Sequence, residues 1–151
     1  MKSRNSLHLT TAALTTIAFT WCLQMGMAAE KTSIDPSGIW KLAMINPETK
    51  AKSHERILKL KLDGGQLTGT IDGFSDINGK KKIFEWPIKD TKLQGNGISF
   101  TVTHAPVVGK GPDSTTVYEG KITGDTMKGT AETEWSGNTF KRDFEARHVK
   151  E

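Results

Sequence analysis

Thr123-Gly124-Asp125-Thr126-Met127-Lys128-Gly129-Thr130-Ala131 joins a glycine turn to an alternating strand. The same arrangement stands at Asp63-Gly64-Gly65-Gln66-Leu67-Thr68-Gly69-Thr70-Ile71 and at Gln94-Gly95-Asn96-Gly97-Ile98-Ser99-Phe100-Thr101-Val102. Copies about 30 residues apart have the spacing of successive β-hairpins in a meander. Glycine in the turns supplies the positive φ that a two-residue hairpin loop demands. Glycine inside the strands, at Gly69, Gly120 and Gly129, permits the coiling and close approach of a small barrel.

Working outward, the period-2 alternation assigns faces. Met127, Gly129, Ala131, Thr133 and Trp135 share one face, and Lys128, Thr130, Glu132 and Glu134 the other. Farther on, Phe140, Arg142, Phe144 and Ala146 oppose Lys141, Asp143, Glu145 and Arg147. Upstream, Leu58, Leu60 and Leu62 oppose Lys59 and Lys61. The charged sets face water, because unpaired charges are rarely buried.

The pattern predicts eight strands, at 38–45, 54–62, 66–72, 83–93, 97–104, 114–123, 126–135 and 139–149, and no helix. Residues 46–53, 73–82 and the segment with Pro106, Gly109, Gly111 and Pro112 read as loops, with Lys80-Lys81-Lys82 at a solvated tip. Pro87 predicts a bend or an interrupted edge. The expected fold is all-β, an eight-stranded antiparallel up-and-down (meander) barrel. An open sandwich and a Greek-key barrel are the alternatives. Closure favours the meander barrel, since it removes edge strands that invite aggregation.

The chain has 151 residues and a formal net charge of +4. Lys2 and Arg4 open it, an uncharged stretch runs from Leu7 to Leu23, and small residues follow at Gly26, Ala28 and Ala29. This predicts a signal peptide over 1–29, cleaved after Ala28 or Ala29, and a barrel domain over 30–151 in a secreted or periplasmic protein. An uncleaved anchor is the alternative, but five threonines dilute the stretch. Cys22 follows Trp21 rather than a small residue, which argues against lipidation. Loss of Cys22 with the leader leaves no disulfide or thiol chemistry. The remaining domain carries +2, so no basic face for nucleic acid is expected, nor stable membrane insertion after cleavage.

Arg142 is the anomaly, a cation on an apolar face. A buried cation needs acceptors or a π face. Trp40 is the expected partner, because the first and last strands adjoin when a meander closes.

Gly38-Ile39-Trp40, with an Arg on the last strand, resembles the signature of the calycins, the group of lipocalins, avidins and fatty-acid-binding proteins. The resemblance implies that the Trp marks the closed end and that Arg142 packs over it. The closer likeness is to avidin and streptavidin. It runs through Leu67-Thr68-Gly69-Thr70, Ser114-Thr115-Thr116-Val117-Tyr118-Glu119-Gly120, Trp135-Ser136-Gly137 and Phe144-Glu145-Ala146-Arg147-His148-Val149. Carried over by position, Ser114 and Thr116 match hydroxyl ligands of biotin. Trp135 matches an aromatic wall, and Phe144 replaces a Trp from a neighbouring subunit. Leu42, Ile71 and Gly73 replace the polar groups that cradle the ureido oxygen, and His104 stands in place of another Trp. The chain ends too soon after Val149 to place the aspartate that takes a ureido N–H. Biotin needs those paired groups, so a different ligand is implied. Avidins are tetramers, and the resemblance leaves a homo-oligomer open here.

No nucleophile elbow, zincin motif, paired-cysteine motif, Walker loop or dinucleotide fingerprint is present. His54, His104 and His148 are scattered, short of a metal site with three or four ligands. Glu85 and Glu119 fall on the outer face. No cofactor, metal or catalytic role is therefore assigned. The expected ligand-binding residues are Trp86, Phe100, His104, Ser114, Thr116, Tyr118, Trp135 and Phe144, around a small apolar or amphipathic molecule. Complete filling of the interior by these side chains is the competing reading. The loops at 73–82 and 104–113 are placed to gate the mouth. The favoured function is non-catalytic small-molecule binding. The alternative is an envelope protein-binding barrel, an inhibitor or scaffold, acting through loops or outer face.

Overall fold

The computed structural model describes residues 34–77, 80–105 and 111–150. The expected signal peptide lies outside the described residues, as do residues 106–110 of the last long loop. The strands are β1 (Gly38–Ile45), β2 (Arg56–Asp63), β3 (Gln66–Ile77), β4 (Lys80–Gln94), β5 (Gly97–His104), β6 (Ser114–Thr123), β7 (Thr126–Trp135) and β8 (Asn138–His148). Each is antiparallel to the next, and β1 pairs with β8, closing an eight-stranded meander barrel.

The glycine turns do what their composition predicts. Gly64 and Gly65 both have positive φ, and so do Ser136 and Gly137, the mark of type I′ hairpins. Gly95 and Gly124 have positive φ at the first turn position. Where strands approach closely, glycine is a steric requirement. A Cβ on Gly129 would fall 1.9 Å from the Glu119 carbonyl oxygen.

The segment 73–82 is not a loop. Phe74 pairs with Ile83 and Ile77 with Lys80, so β3 and β4 extend as one long hairpin arm that includes the lysine run. Ladder hydrogen bonds override the loop-like composition there. Pro87 does not interrupt pairing with β3, where it sits opposite Thr70. The irregularity falls just after it, as a register shift between Lys89 and Lys92 with Asp90 at φ 49°. A bulge of this kind bends the strand and tightens its twist.

The two ends of the barrel differ. At one end lie the short turns after β2, β4 and β6, and residues 34–37 run up to β1 there with Pro36 fully buried. Trp40 is buried there, and its indole N–H donates to the Pro36 carbonyl at 2.9 Å. Its cross-strand neighbour is His148, whose ring meets the indole edge-on at 4.9 Å. Gly38 makes room for that imidazole, since a Cβ would fall 2.2 Å from its Nε2. The expected Trp40–Arg142 pair does not form. Arg142 precedes His148 by six residues on β8, about 20 Å along a strand, and sits toward the other end.

Above this closed end, Leu42, Leu58, Ile71, Phe100, Val102, Ile122, Met127 and Phe144 fill the barrel. The filling stops at Tyr118, which stacks on Phe100 at 4.8 Å and meets Phe144 edge-on at 5.6 Å.

Candidate functional site

Beyond Tyr118 the barrel opens into a cavity of about 230 Å³. The inward alternation of five strands and the end of β1 build it. Ser114, Thr116 and Tyr118 come from β6, Ala131 and Thr133 from β7, and Phe140 and Arg142 from β8. Met44, Arg56 and His104 complete the lining from β1, β2 and β5.

Four of the residues expected from sequence thus meet at one site: His104, Ser114, Thr116 and Tyr118. Phe100 and Phe144 lie beneath Tyr118 as its aromatic floor. Trp86 is partly buried against the core and outside the cavity lining, with its ring 4.5 Å from that of His104 and packed over Gly73. A Cβ on Gly73 would fall 2.3 Å from that ring, so the small residue is needed for the Trp86 position. Trp135 is not part of the lining. It sits beside the β7–β8 turn, 50 % exposed, because the strand has run past the barrel mouth at that point.

Thr116 is buried, and its hydroxyl meets that of its cross-strand partner Thr133 at 2.9 Å. The two hydroxyls satisfy each other and keep spare hydrogen-bonding capacity. His104 Nε2 and the Tyr118 hydroxyl are buried with no hydrogen-bond partner among the described residues. Such groups are rare in folded proteins and point to a missing partner. Burial, and after it the charge of Arg56, pushes the His104 imidazole down to about 4, so it is neutral at pH 7. Burial pushes the Tyr118 phenol up, while Arg56 pulls the other way, through its charge and through a side-chain approach to the phenol oxygen that falls short of a well-formed hydrogen bond. His104 and Ser114 are cross-strand partners, yet no hydrogen bond joins them.

Met44, Arg56, Thr133, Phe140 and Arg142 were not among the expected site residues. Arg56 was within reach of the sequence, since it continues the inward series Leu58, Leu60, Leu62 by one step. Arg142 was recognised as inward-facing but assigned to Trp40. Among the described residues no group of three or more potential metal ligands comes together.

Eight strands, meander order, closure and a filled floor under an open mouth define the class: a small closed antiparallel β-barrel, an architecture consistent with the calycin fold. Comparison with protein-family models, curated proteins and solved structures yields no match to this chain.

Proposed function

We propose that this is an exported, non-catalytic binding protein that holds a small molecule in its mouth cavity. The observation that carries the reading is the pair of buried, unpartnered polar atoms, His104 Nε2 and Tyr118 Oη, at the wall of that cavity. An unsatisfied buried group costs roughly 1–3 kcal/mol. A ligand offering complementary groups recovers that loss. The resemblance to avidins and lipocalins supports the same arrangement, a closed barrel with its ligand at one end. Binding is favoured over turnover because the imidazole is not hydrogen-bonded to any hydroxyl it would activate. The outer face supports an aqueous setting. It carries Lys41, Lys59, Lys121, Glu132 and Lys141, where a lipid-facing barrel presents an apolar band. Export rests on the leader-like residues 1–29.

Native mass spectrometry of the protein from the exported fraction tests this. The expected result is a chain shortened near Ala28 or Ala29 that carries a small-molecule adduct lost on denaturation. A Thr133→Trp substitution, which fills the mouth, removes the adduct. The reading fails if the folded wild type and the filled variant have the same mass increment, or none.

A further inference from the structure

The cavity has charge of one sign. Arg56 and Arg142 line it, and no carboxylate does among the described residues. Some charges elsewhere are paired, Lys59 with Glu85 at 2.7 Å, Arg147 with Glu145 at 3.1 Å, and Lys150 with Asp125 at 2.6 Å. Arg56 and Arg142 have no acidic partner among the described residues. Both belong to inward series. Arg56 pairs in register with Leu42, Arg142 with Ala131, and both of those neighbours are buried. Arg56 is half-buried and Arg142 exposed, and two guanidiniums lining one cavity with no counter-charge give it a positive field that favours an anion there.

The neutral groups around them fit the same occupant. Tyr118 keeps its proton at neutral pH and has one hydroxyl donor without an acceptor. Arg56 lies near enough to shift that phenol, so an oxygen accepting from Tyr118 also feels the guanidinium. A carboxylate suits a planar guanidinium fork and accepts further donors on its remaining lone pairs. Met44, Ala131 and Phe140 supply apolar wall for a carbon body. Ser114, Thr116 and Thr133 offer hydroxyls to either anion, so it is the apolar wall that favours a carboxylate on a carbon body over phosphate. The space is below the roughly 300–1,000 Å³ of ordinary ligand pockets, so the body is short.

We propose that the mouth cavity is a carboxylate-binding site for small organic monoanions, with Arg56 and Arg142 as counter-charges and Tyr118 as a neutral donor. This rests on the cavity being a ligand site. It names the class of ligand, an amphipathic acid rather than a neutral apolar molecule.

The test is an NMR titration of the isotope-labelled protein at pH 7 and low salt. The probes are hexanoate and benzoate, their uncharged amides, and inorganic phosphate. Saturable shifts of the Thr116, Ala131 and Thr133 amides are expected with the carboxylates, and binding about tenfold weaker with the amides. Arg56→Gln weakens the carboxylates about tenfold and leaves the amides unchanged. Arg142→Gln, at an exposed position where folding is not at stake, acts in the same direction. Amides that bind as well as the carboxylates overturn the charge assignment and leave the ligand cavity standing. Phosphate binding tighter than either carboxylate overturns it too. If no probe moves the cavity resonances of the folded protein, the site and the proposed function fall together.

Discussion

The two ends of this barrel are built on opposite terms. At the closed end every polar group described above has a partner. The Trp40 indole donates to Pro36, His148 Nε2 lies 3.2 Å from the Ser37 carbonyl, and the Ser37 hydroxyl accepts from the Leu62 amide at 2.9 Å. At the open end, His104 and Tyr118 keep buried atoms with no partner, and two arginines lack counter-charges. The closed end therefore holds the sheet together, while the open end keeps hydrogen-bonding capacity and charge in reserve. Stability and binding are thus divided between opposite ends of one set of strands, and substitutions at the two ends should separate accordingly.

The largest effect is expected at the closed end. Trp40→Ala removes a buried indole and the aromatic neighbour of His148, and should cost about 3–5 kcal/mol in chemical denaturation. A loss below about 1 kcal/mol would break the contrast, because the closed end would then not be the stabilising one.

An intermediate effect is expected from acid. The folded His104 imidazole lies at about 4 against an ordinary 6.5, so between these values the unfolded chain binds the additional proton. Stability should be full above pH 6.5, fall as pH drops toward 4, and level off below that. After discounting for the partial exposure of His104, the loss should be about 2 kcal/mol or less. His104→Gln should flatten this part of a denaturation-versus-pH curve. A variant as steep as the wild type would move the acid sensitivity away from the mouth.

Smaller still is Tyr118→Phe. It deletes a hydroxyl that makes no well-formed hydrogen bond and is approached only by Arg56, so the ligand-free protein should be unchanged or more stable by up to about 1 kcal/mol. A clear loss in Tm would mean that the hydroxyl is satisfied in solution, and the open end would look like the closed one. The smallest effect belongs to Trp135→Ala. Half-exposed and outside the cavity lining, it should change stability by less than about 0.5 kcal/mol. A larger loss would place Trp135 against the barrel after all.

Much of this was legible in the residues. The strand bounds 38–45, 97–104, 114–123 and 126–135 follow from glycine turns beside period-2 runs, and all four match the structure. The β3–β4 arm was missed because Gly73 to Lys82 has loop composition. Its order comes from pairing between two strands that are each unremarkable alone. Within the site, the sequence reading named Thr116 and Tyr118 as pocket residues and put Glu119 on the outer face. It also flagged Arg142 as a cation on that face.

What the sequence by itself determined was the positions of the glycine turns, the inward faces of β2, β7 and β8, and the meander order. These are properties of neighbouring residues and of a two-residue period. Depth along the barrel was decided only by the closed structure. In a barrel, strands tilt and their registers stagger around the ring, so height on one strand cannot be read from height on another. That stagger sets His148 rather than Arg142 beside Trp40, carries Trp135 past the mouth, and brings Arg56 and Arg142 to the same cavity as Tyr118.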